Sequence, residues 1–331
     1  MVGIGANEKA VRLLVTGGTG YLGSELLPLL SDHTIFALYR KKHPNVPGVC
    51  WLEGDVTLPG LGLAKVPAVD GIFHCAGLID LSSGKREQVW AVNVKGTVNV
   101  LNLCKKQRIP RLWYVSTAYT QGRNPYEFSK RAAEQMVEAS GLKITIYKVA
   151  IIAGNFQNWA ASGAEGFYAV ARIIANVHRR AEIVRRKVEG TLRLPPLELT
   201  VRLQGDPDAT LNLVPVDWVA KNMVGTMGRE GVIYLTNPNP PTLAEVVGWL
   251  GQALFMKIII TPSFKPTPIE MVLARLIRPF LPYMLKAEPL PVSVETCPRI
   301  TGEFIIGTVE ADIIGGENAR GVQELDGEDA V

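Results

Sequence analysis

Apolar and polar residues fall in short alternating blocks along the first half of the chain. Leu13-Leu14-Val15-Thr16 is a compact apolar run without a helical stripe, which predicts a buried strand, opening almost at once at Val11. Gly17-Gly18-Thr19-Gly20-Tyr21-Leu22-Gly23 follows, and Ser24-Glu25-Leu26-Leu27 then begins an amphipathic helix. Pro28 lies inside that helix, where its missing N–H and its ring predict a kink or an early end. Similar apolar blocks predict strands at 34–39, 49–57, 69–77 and 111–117, with a helix over 87–105. Strand and helix alternate in this way through residue 150, the pattern of an α/β fold with a doubly wound parallel sheet.

The second half is looser. Helices are predicted at 163–175 and 217–227, and Thr242-Leu243-Ala244-Glu245 has the spacing of a capping box at a helix start. These pieces suit a smaller, mainly C-terminal substrate lobe. The expected division is a dinucleotide-binding domain over 9–155, the lobe over 156–300 with a strand or two returning to the sheet, and a mobile tail over 301–331. Glu324, Asp326, Glu328 and Asp329 make the end of that tail acidic.

The order strand, glycine-rich turn, helix makes a phosphate site, because the helix N-terminus presents N–H groups and a positive dipole end. Gly17 can take the positive φ of a tight turn, Gly20 lets the backbone approach a pyrophosphate, and Gly23 lets helix and strand pack closely. Tyr21 and Leu22 stand in the turn that would face the anion. The residue after the second strand chooses the cofactor: an acid there would bind a ribose 2′-hydroxyl, whereas Arg40, followed by Lys41 and Lys42, accommodates a 2′-phosphate. NADP(H) is therefore preferred, with NAD(H) as the alternative, and a solvated basic turn is the bland reading. Tyr126 and Lys130 are four apart and share a helix face, a pair suited to proton transfer; the bland reading is an amphipathic helix with a snorkelling lysine.

Composition narrows the classes. The 331 residues are 47% hydrophobic and 20% charged, enough to bury a full core. A net charge of +4, with no basic stripe or nucleic-acid motif, argues against a nucleic-acid partner. Cys50, Cys75, Cys104 and Cys297 are far apart with no ligand spacing, so neither a metal site nor a disulfide framework is expected. The first nine residues lack a basic flank and apolar core, and no run of about 18 uncharged apolar residues occurs, which points to a cytoplasmic protein. Arg179, Arg180, Arg185, Arg186 and Lys187 could meet the phosphates of coenzyme A or form a solvated face. The apolar and basic stretch 269–286 suggests a peripheral membrane helix, but Pro279 and Pro282 favour an ordinary lobe helix.

Several motifs occur together in one order: Thr16-Gly17-Gly18-Thr19-Gly20-Tyr21-Leu22-Gly23, Gly54-Asp55-Val56, His74-Cys75-Ala76-Gly77, Asn93-Val94-Lys95-Gly96-Thr97, Val115-Ser116-Thr117 and Tyr126-Glu127-Phe128-Ser129-Lys130. In this the chain resembles the extended short-chain dehydrogenases/reductases of the NAD-dependent epimerase/dehydratase superfamily. The resemblance is strong over 11–150 and looser to about 250. Residues 54–63 and 212–220 are similar to segments of the fatty acyl-CoA reductase and thioester reductase branch.

The resemblance implies a Rossmann fold and an oxidoreductase in which Tyr126 passes a proton, Lys130 also bonds the nicotinamide ribose, and a strand-end hydroxyl polarises the carbonyl oxygen. Thr117 is the expected hydroxyl, standing five residues before Gly122 as in the family. Ser116 is the runner-up, since neighbours on a strand face opposite ways. Asp55 and Val56 would line the adenine, Ala76 and Gly77 would admit the cofactor, and Asn93 would tie a strand to its neighbouring helix. His74 reads as a core histidine. Two departures stand out: the loop 118–125 is much shorter than in extended members, and Lys148-Val149-Ala150-Ile151-Ile152-Ala153-Gly154 replaces an Arg-Pro opening and a proline-containing turn.

The resemblance thus implies an NADP(H)-dependent reduction of a carbonyl or of an acyl thioester on coenzyme A or a carrier protein. The alternatives are a sterol-type dehydrogenase, a nucleotide-sugar epimerase/dehydratase with bound NAD(P), or a silent NADP(H)-binding sensor or scaffold. A homodimer is open in all of them.

Overall fold

The computed structural model describes residues 10–161, 166–192, 200–286 and 289–325. Strand β1 (Arg12–Thr16) is the centre: Leu13, Leu14 and Val15 are fully buried, as the unpatterned apolar run requires. Helix α1 (Tyr21–Leu29) follows and stops one residue after Pro28, so the proline shortens the helix. Strands β2 (Thr34–Tyr39), β3 (Val49–Glu53) and β4 (Gly71–His74) come next. The helix expected over 87–105 is three pieces: α2 (Arg86–Trp90), a wider π turn at Ala91–Lys95, and α3 (Gly96–Gln107). Then follow β5 (Arg111–Thr117), α4 (Pro125–Glu138), β6 (Lys143–Val149) and β7 (Ile151–Ala153).

The remaining elements are α5 (Phe167–Leu192), β8 (Thr200–Gln204), β9 (Leu213–Pro215), α6 (Val216–Gly225) and β10 (Gly231–Leu235). Helix α7 (Leu243–Ala253), β11 (Lys257–Thr261), α8 (Pro268–Ile277) and α9 (Gly302–Leu325) complete the order. The start of the helix expected at 163 and the acidic residues from 326 onward lie outside the described residues.

Seven parallel strands form one sheet in the order β10-β6-β5-β4-β1-β2-β3. The chain leaves β1 toward β2 and β3, then crosses to β4 on its other side. That reversal opens a crevice at the C-terminal ends of β1 and β4, where ligands bind in doubly wound sheets. Strand β10 is a late return, with Ile233 buried against Tyr147 of β6. The core beneath the crevice joins Leu14, Ile72, Leu112, Tyr114, Val100 and Val137.

The chain divides into two compact units. The first holds residues up to Ala150 with Val216–Thr236 and Pro291–Cys297; the second holds Ile151–Pro215, Asn237–Leu290 and the chain from Pro298. The division therefore falls at 150 rather than 155, and the later sequence is shared because β10 can satisfy its backbone only on the sheet edge. Within the second unit, β7 pairs with β9 and β8 with β11, both parallel. Thr242 and Glu245 form the capping box read from sequence, and Thr267 with Glu270 forms another. The stretch 269–286 is the lobe helix that its prolines favoured, running to Ile277 with Leu273 and Ile277 buried and followed by a tight turn over Arg278–Tyr283 that accommodates those prolines. One expectation is corrected here. The tail from 301 begins as a helix, because Phe304, Ile305 and Val309 are buried on one of its faces.

Candidate active site

The glycine-rich turn builds the floor of a cleft of about 170 Å³ in the first unit. Gly17 has φ +74°, and a Cβ there would lie 2.5 Å from the Ala76 nitrogen. Only glycine supplies both the left-handed backbone and the close approach of β1 to the end of β4. Gly23 lies under the turn, where a Cβ would meet the Gly17 carbonyl carbon and the Gly18 Cα at 2.8 Å. Gly20 caps α1 without a side chain to occupy the helix N-terminus.

Of the residues expected to touch a cofactor, Gly17, Gly20, Arg40, Val56, Ala76 and Gly77 line the cleft together. Tyr21, Leu22 and Gly23 form the adjoining first turn of α1 and are not among its walls. Sequence reasoning did not single out Thr19, Leu38, Cys75 and Val92, which also face it. Arg40 is exposed at the rim, its Nη1 3.9 Å from Asp55 Oδ2. The other Asp55 oxygen, Oδ1, accepts from the Thr57 N–H and hydroxyl, both at 2.8 Å, so one oxygen holds the loop and the other faces Arg40.

A dinucleotide fits what is present: a side-chain-free floor at a helix N-terminus, an apolar wall at Leu38 and Val56, and a cation at one end. Among the described residues no group of His, Cys, Asp or Glu could hold a metal, and no helix is long and apolar enough to cross a membrane.

Beside the cleft, α4 carries Tyr126 and Lys130. Asn124 caps the helix by accepting from the Glu127 N–H at 2.9 Å, and Pro125 suits its first turn. Glu127 is fully buried, accepts the Gly122 and Arg123 N–H groups at 3.0 and 3.1 Å, and pairs with the Arg123 guanidinium at 2.6 Å. The short loop is thereby fastened to the helix that follows it. The Asn-Pro-x-Glu spacing was the available signal for that anchor.

Strand alternation separates Ser116 from Thr117. Ser116 donates to Glu134 Oε2 at 2.8 Å, which turns the neighbouring Thr117 to the other face of β5, and Thr117 there acts to lower the Tyr126 phenol. Desolvation first, and then the Glu127 charge, push the Tyr126 phenol well above its usual value, and Thr117 acts against them. Lys130 does not snorkel. It is 4% exposed, its Nζ donates to the Val115 carbonyl at 2.6 Å, and it lies 4.4 Å from the centre of the Tyr114 ring. Burial draws it down to about 7, and Glu134 is first among the neighbours that act to raise it.

Asn93 sits in the π turn, a distortion frequent at functional sites. Its amide exchanges two hydrogen bonds with the Leu78 backbone and donates to Ser129 Oγ at 2.9 Å; Ser129 in turn donates to the Tyr126 carbonyl at 2.7 Å. Asn93 thus ties the end of β4 to the helix that carries the tyrosine. His74 is wholly buried between Thr16 at 2.7 Å and Thr97 at 3.1 Å, and desolvation lowers it to about 3. Thr97 gives its own proton to the Asn93 carbonyl, so His74 donates from Nε2 and accepts at Nδ1 as a neutral ring.

The model of the NAD dependent epimerase/dehydratase family matches residues 13–193. A 3 beta-hydroxysteroid dehydrogenase/Delta 5-->4-isomerase of Mycobacterium tuberculosis is 34% identical over 116 residues, 32% of this chain and 31% of that protein. A 2-alkyl-3-oxoalkanoate reductase of Stenotrophomonas maltophilia is 37% identical over 111 residues, 32% of this chain and 33% of that protein. The matched stretches span about a third of the length of these relatives. The terminal R domain from the myxalamid PKS-NRPS biosynthetic pathway superposes with a TM-score of 0.69 at 21% identity, covering 94% of this chain and 93% of its own. That likeness is one of fold.

Proposed function

This chain belongs to the NAD dependent epimerase/dehydratase family, the extended class of short-chain dehydrogenases/reductases, and on that premise we propose that it is an NADP(H)-dependent reductase of a carbonyl or an acyl thioester. The observation that carries the reading is Lys130, buried one turn beyond Tyr126 on α4 with its Nζ on the Val115 carbonyl, two residues before Thr117 at the end of β5.

Gly17, Gly20 and the first turn of α1 at Tyr21, Leu22 and Gly23 would hold the pyrophosphate, with Asp55 and Val56 at the adenine and Ala76 and Gly77 at the inner half. Arg40 would take the ribose 2′-phosphate. A bound nicotinamide would supply the hydride for the substrate's carbonyl carbon. Tyr126, held as a phenol by its surroundings, gives its proton to the carbonyl oxygen as charge builds there. Thr117 donates to the same oxygen and polarises it. Lys130, which would also bond the nicotinamide ribose, stabilises the phenolate left behind. Bringing a phenol from about 10 to about 7 requires roughly 4 kcal/mol of such stabilisation.

The thioester is supported by the similarity of 54–63 and 212–220 to acyl-CoA and thioester reductases and by the fold shared with an R domain. The relative named for 2-alkyl-3-oxoalkanoates supports an alkyl-chain carbonyl, and the second unit is the proposed substrate lobe. A second reading, a sterol-type alcohol, is favoured by the M. tuberculosis relative. The deciding assay follows nicotinamide absorbance with NADPH or NADH and a panel of acyl-CoA thioesters, free aldehydes and 3-hydroxysterols (with NADP+ or NAD+). Tyr126→Phe should lower turnover at least about 100-fold while NADPH affinity stays within about twofold. Turnover that survives the substitution would refute the mechanism.

A further inference from the structure

Lys130 is surrounded by groups that can titrate, yet few of them are charged near neutral pH. His74, at the end of β4, is a neutral ring held between two hydroxyls, and desolvation raises the neighbouring Cys75 thiol to about 12. From β5, the Tyr114 ring lies under the ammonium, with its phenol raised by burial. Tyr126, one turn back on α4, is likewise raised. Among the described residues, Glu134, one turn forward on the same face, is the neighbour able to carry charge to Lys130.

Glu134 is 7% exposed and fully engaged. Its Oε1 lies 2.6 Å from Lys148 Nζ of β6, and its Oε2 accepts from Ser116 at 2.8 Å. Lys148 itself lies 5.7 Å from the centre of the Tyr234 ring. One buried carboxylate therefore pairs with the half-buried Lys148 and lies one helical turn from the buried Lys130. The Ser116 bond also fixes the face of β5 opposite to the one that presents Thr117.

We propose that Glu134 is a positioning residue that keeps Lys130 an ammonium beside Tyr126 and, by holding Ser116, fixes the strand end so that Thr117 faces the tyrosine. This rests on the role given above to Lys130. Lys148, which neutralises Glu134 from the far side, sets how much of its charge Lys130 feels. An opposite charge one helical turn away moves a buried group by about one to three pH units, so the loss of Glu134 is large enough to measure.

The test is an NMR titration of the full, unliganded chain carrying ¹³Cε-lysine, with Lys130→Arg to assign the Lys130 signal. Glu134→Gln should lower the Lys130 midpoint by about one unit or more, and Glu134→Asp, which keeps the charge, should leave it within about 0.3 unit. The double variant Glu134→Gln with Lys148→Met removes both members of the Glu134–Lys148 pair, which spares the fold from half of that pair left alone, and should still lower the Lys130 midpoint, by less than the single variant because the Lys148 charge is gone as well. A midpoint in the double variant equal to that of the parent protein would overturn the inference. So would a shift in Glu134→Asp as large as in Glu134→Gln, since a packing role is disturbed more by the shorter side chain. Because the titration needs no turnover, failure of the reductase assay with this shift intact would sink the reductase reading alone.

Discussion

Gly17 and Gly20 stand three apart in one turn, and the structure gives them separate tasks that two alanine substitutions should separate. A Cβ at Gly17 would lie 2.5 Å from the Ala76 nitrogen and 2.8 Å from both the Ala76 Cα and the Cys75 carbonyl carbon. All three are backbone atoms at the end of β4, so nothing flexible can yield. Alanine would also have to hold φ +74°, which costs about 1–2 kcal/mol, and forcing the strands apart adds about 1–3 kcal/mol. Gly17→Ala should therefore lose roughly 2–5 kcal/mol, or about 3–7 °C in melting temperature for a chain of this size.

At Gly20 the backbone is ordinary, φ −82° and ψ 168°, and a Cβ would meet only the Gly17 oxygen, at 3.2 Å. Gly20→Ala should cost about 1 kcal/mol or less in stability, the usual loss for alanine at a helix N-cap. Its methyl group would stand where the backbone meets the pyrophosphate, so NADPH affinity should fall at least about tenfold, or 1.4 kcal/mol. The assays are scanning calorimetry and NADPH fluorescence titration. A Gly17→Ala protein that melts with the parent would refute the close β1–β4 approach. A stable Gly20→Ala protein that binds NADPH normally would refute the placement of the pyrophosphate.

Arg40→Ala should weaken NADPH by about tenfold and leave NADH nearly unchanged, since it removes one charge-assisted contact that only the 2′-phosphate can make; equal losses for both cofactors would contradict that assignment. In the second unit, Glu270 accepts from Arg202 Nε and Nη2, both at 2.8 Å, and is lowered from 4.5 to about 2 by the Arg202 hydrogen bonds first and the Thr267 bonds after them. A depressed carboxyl contributes stability that is present above 4.5 and lost as pH falls through about 2. Glu270→Gln should therefore melt below the parent at neutral pH and converge with it in acid; a constant gap between pH 7 and pH 2 would exclude the linkage.

Much of the crevice was legible because its signals are local. An apolar run, glycines at fixed offsets and a helix start occupy neighbouring positions, so one stretch from Leu13 to Leu27 carries strand, turn and helix together. Tyr126 and Lys130 were readable for the same reason, as a four-residue spacing on a helix. What was missed involves partners distant in the chain. Cys75 faces the cleft because β4 lies next to β1; Asn93 was expected to tie a strand to a helix, but that it does so from a π turn and through Ser129, 36 positions away, is nothing that periodicity announces. The tail from 301 was misread because its charged end dominated the composition, while Phe304, Ile305 and Val309 share a helical face that compositional reasoning does not weigh.

The sequence by itself determined the alternation of strands and helices, the family, and the residue types at the cofactor floor, because each depends on short-range periodicity or on a motif whose spacing is its content. Tertiary structure decided between Ser116 and Thr117. Alternation says only that neighbours on β5 face apart; the bond from Ser116 to Glu134, itself paired with Lys148, says which way Ser116 points and so leaves Thr117 on the other face. It also decided that Lys130 is buried and that Val216–Thr236 belongs with the first 150 residues. Both follow from long-range packing, in which a strand edge and a buried ammonium must find partners that the local chain does not supply.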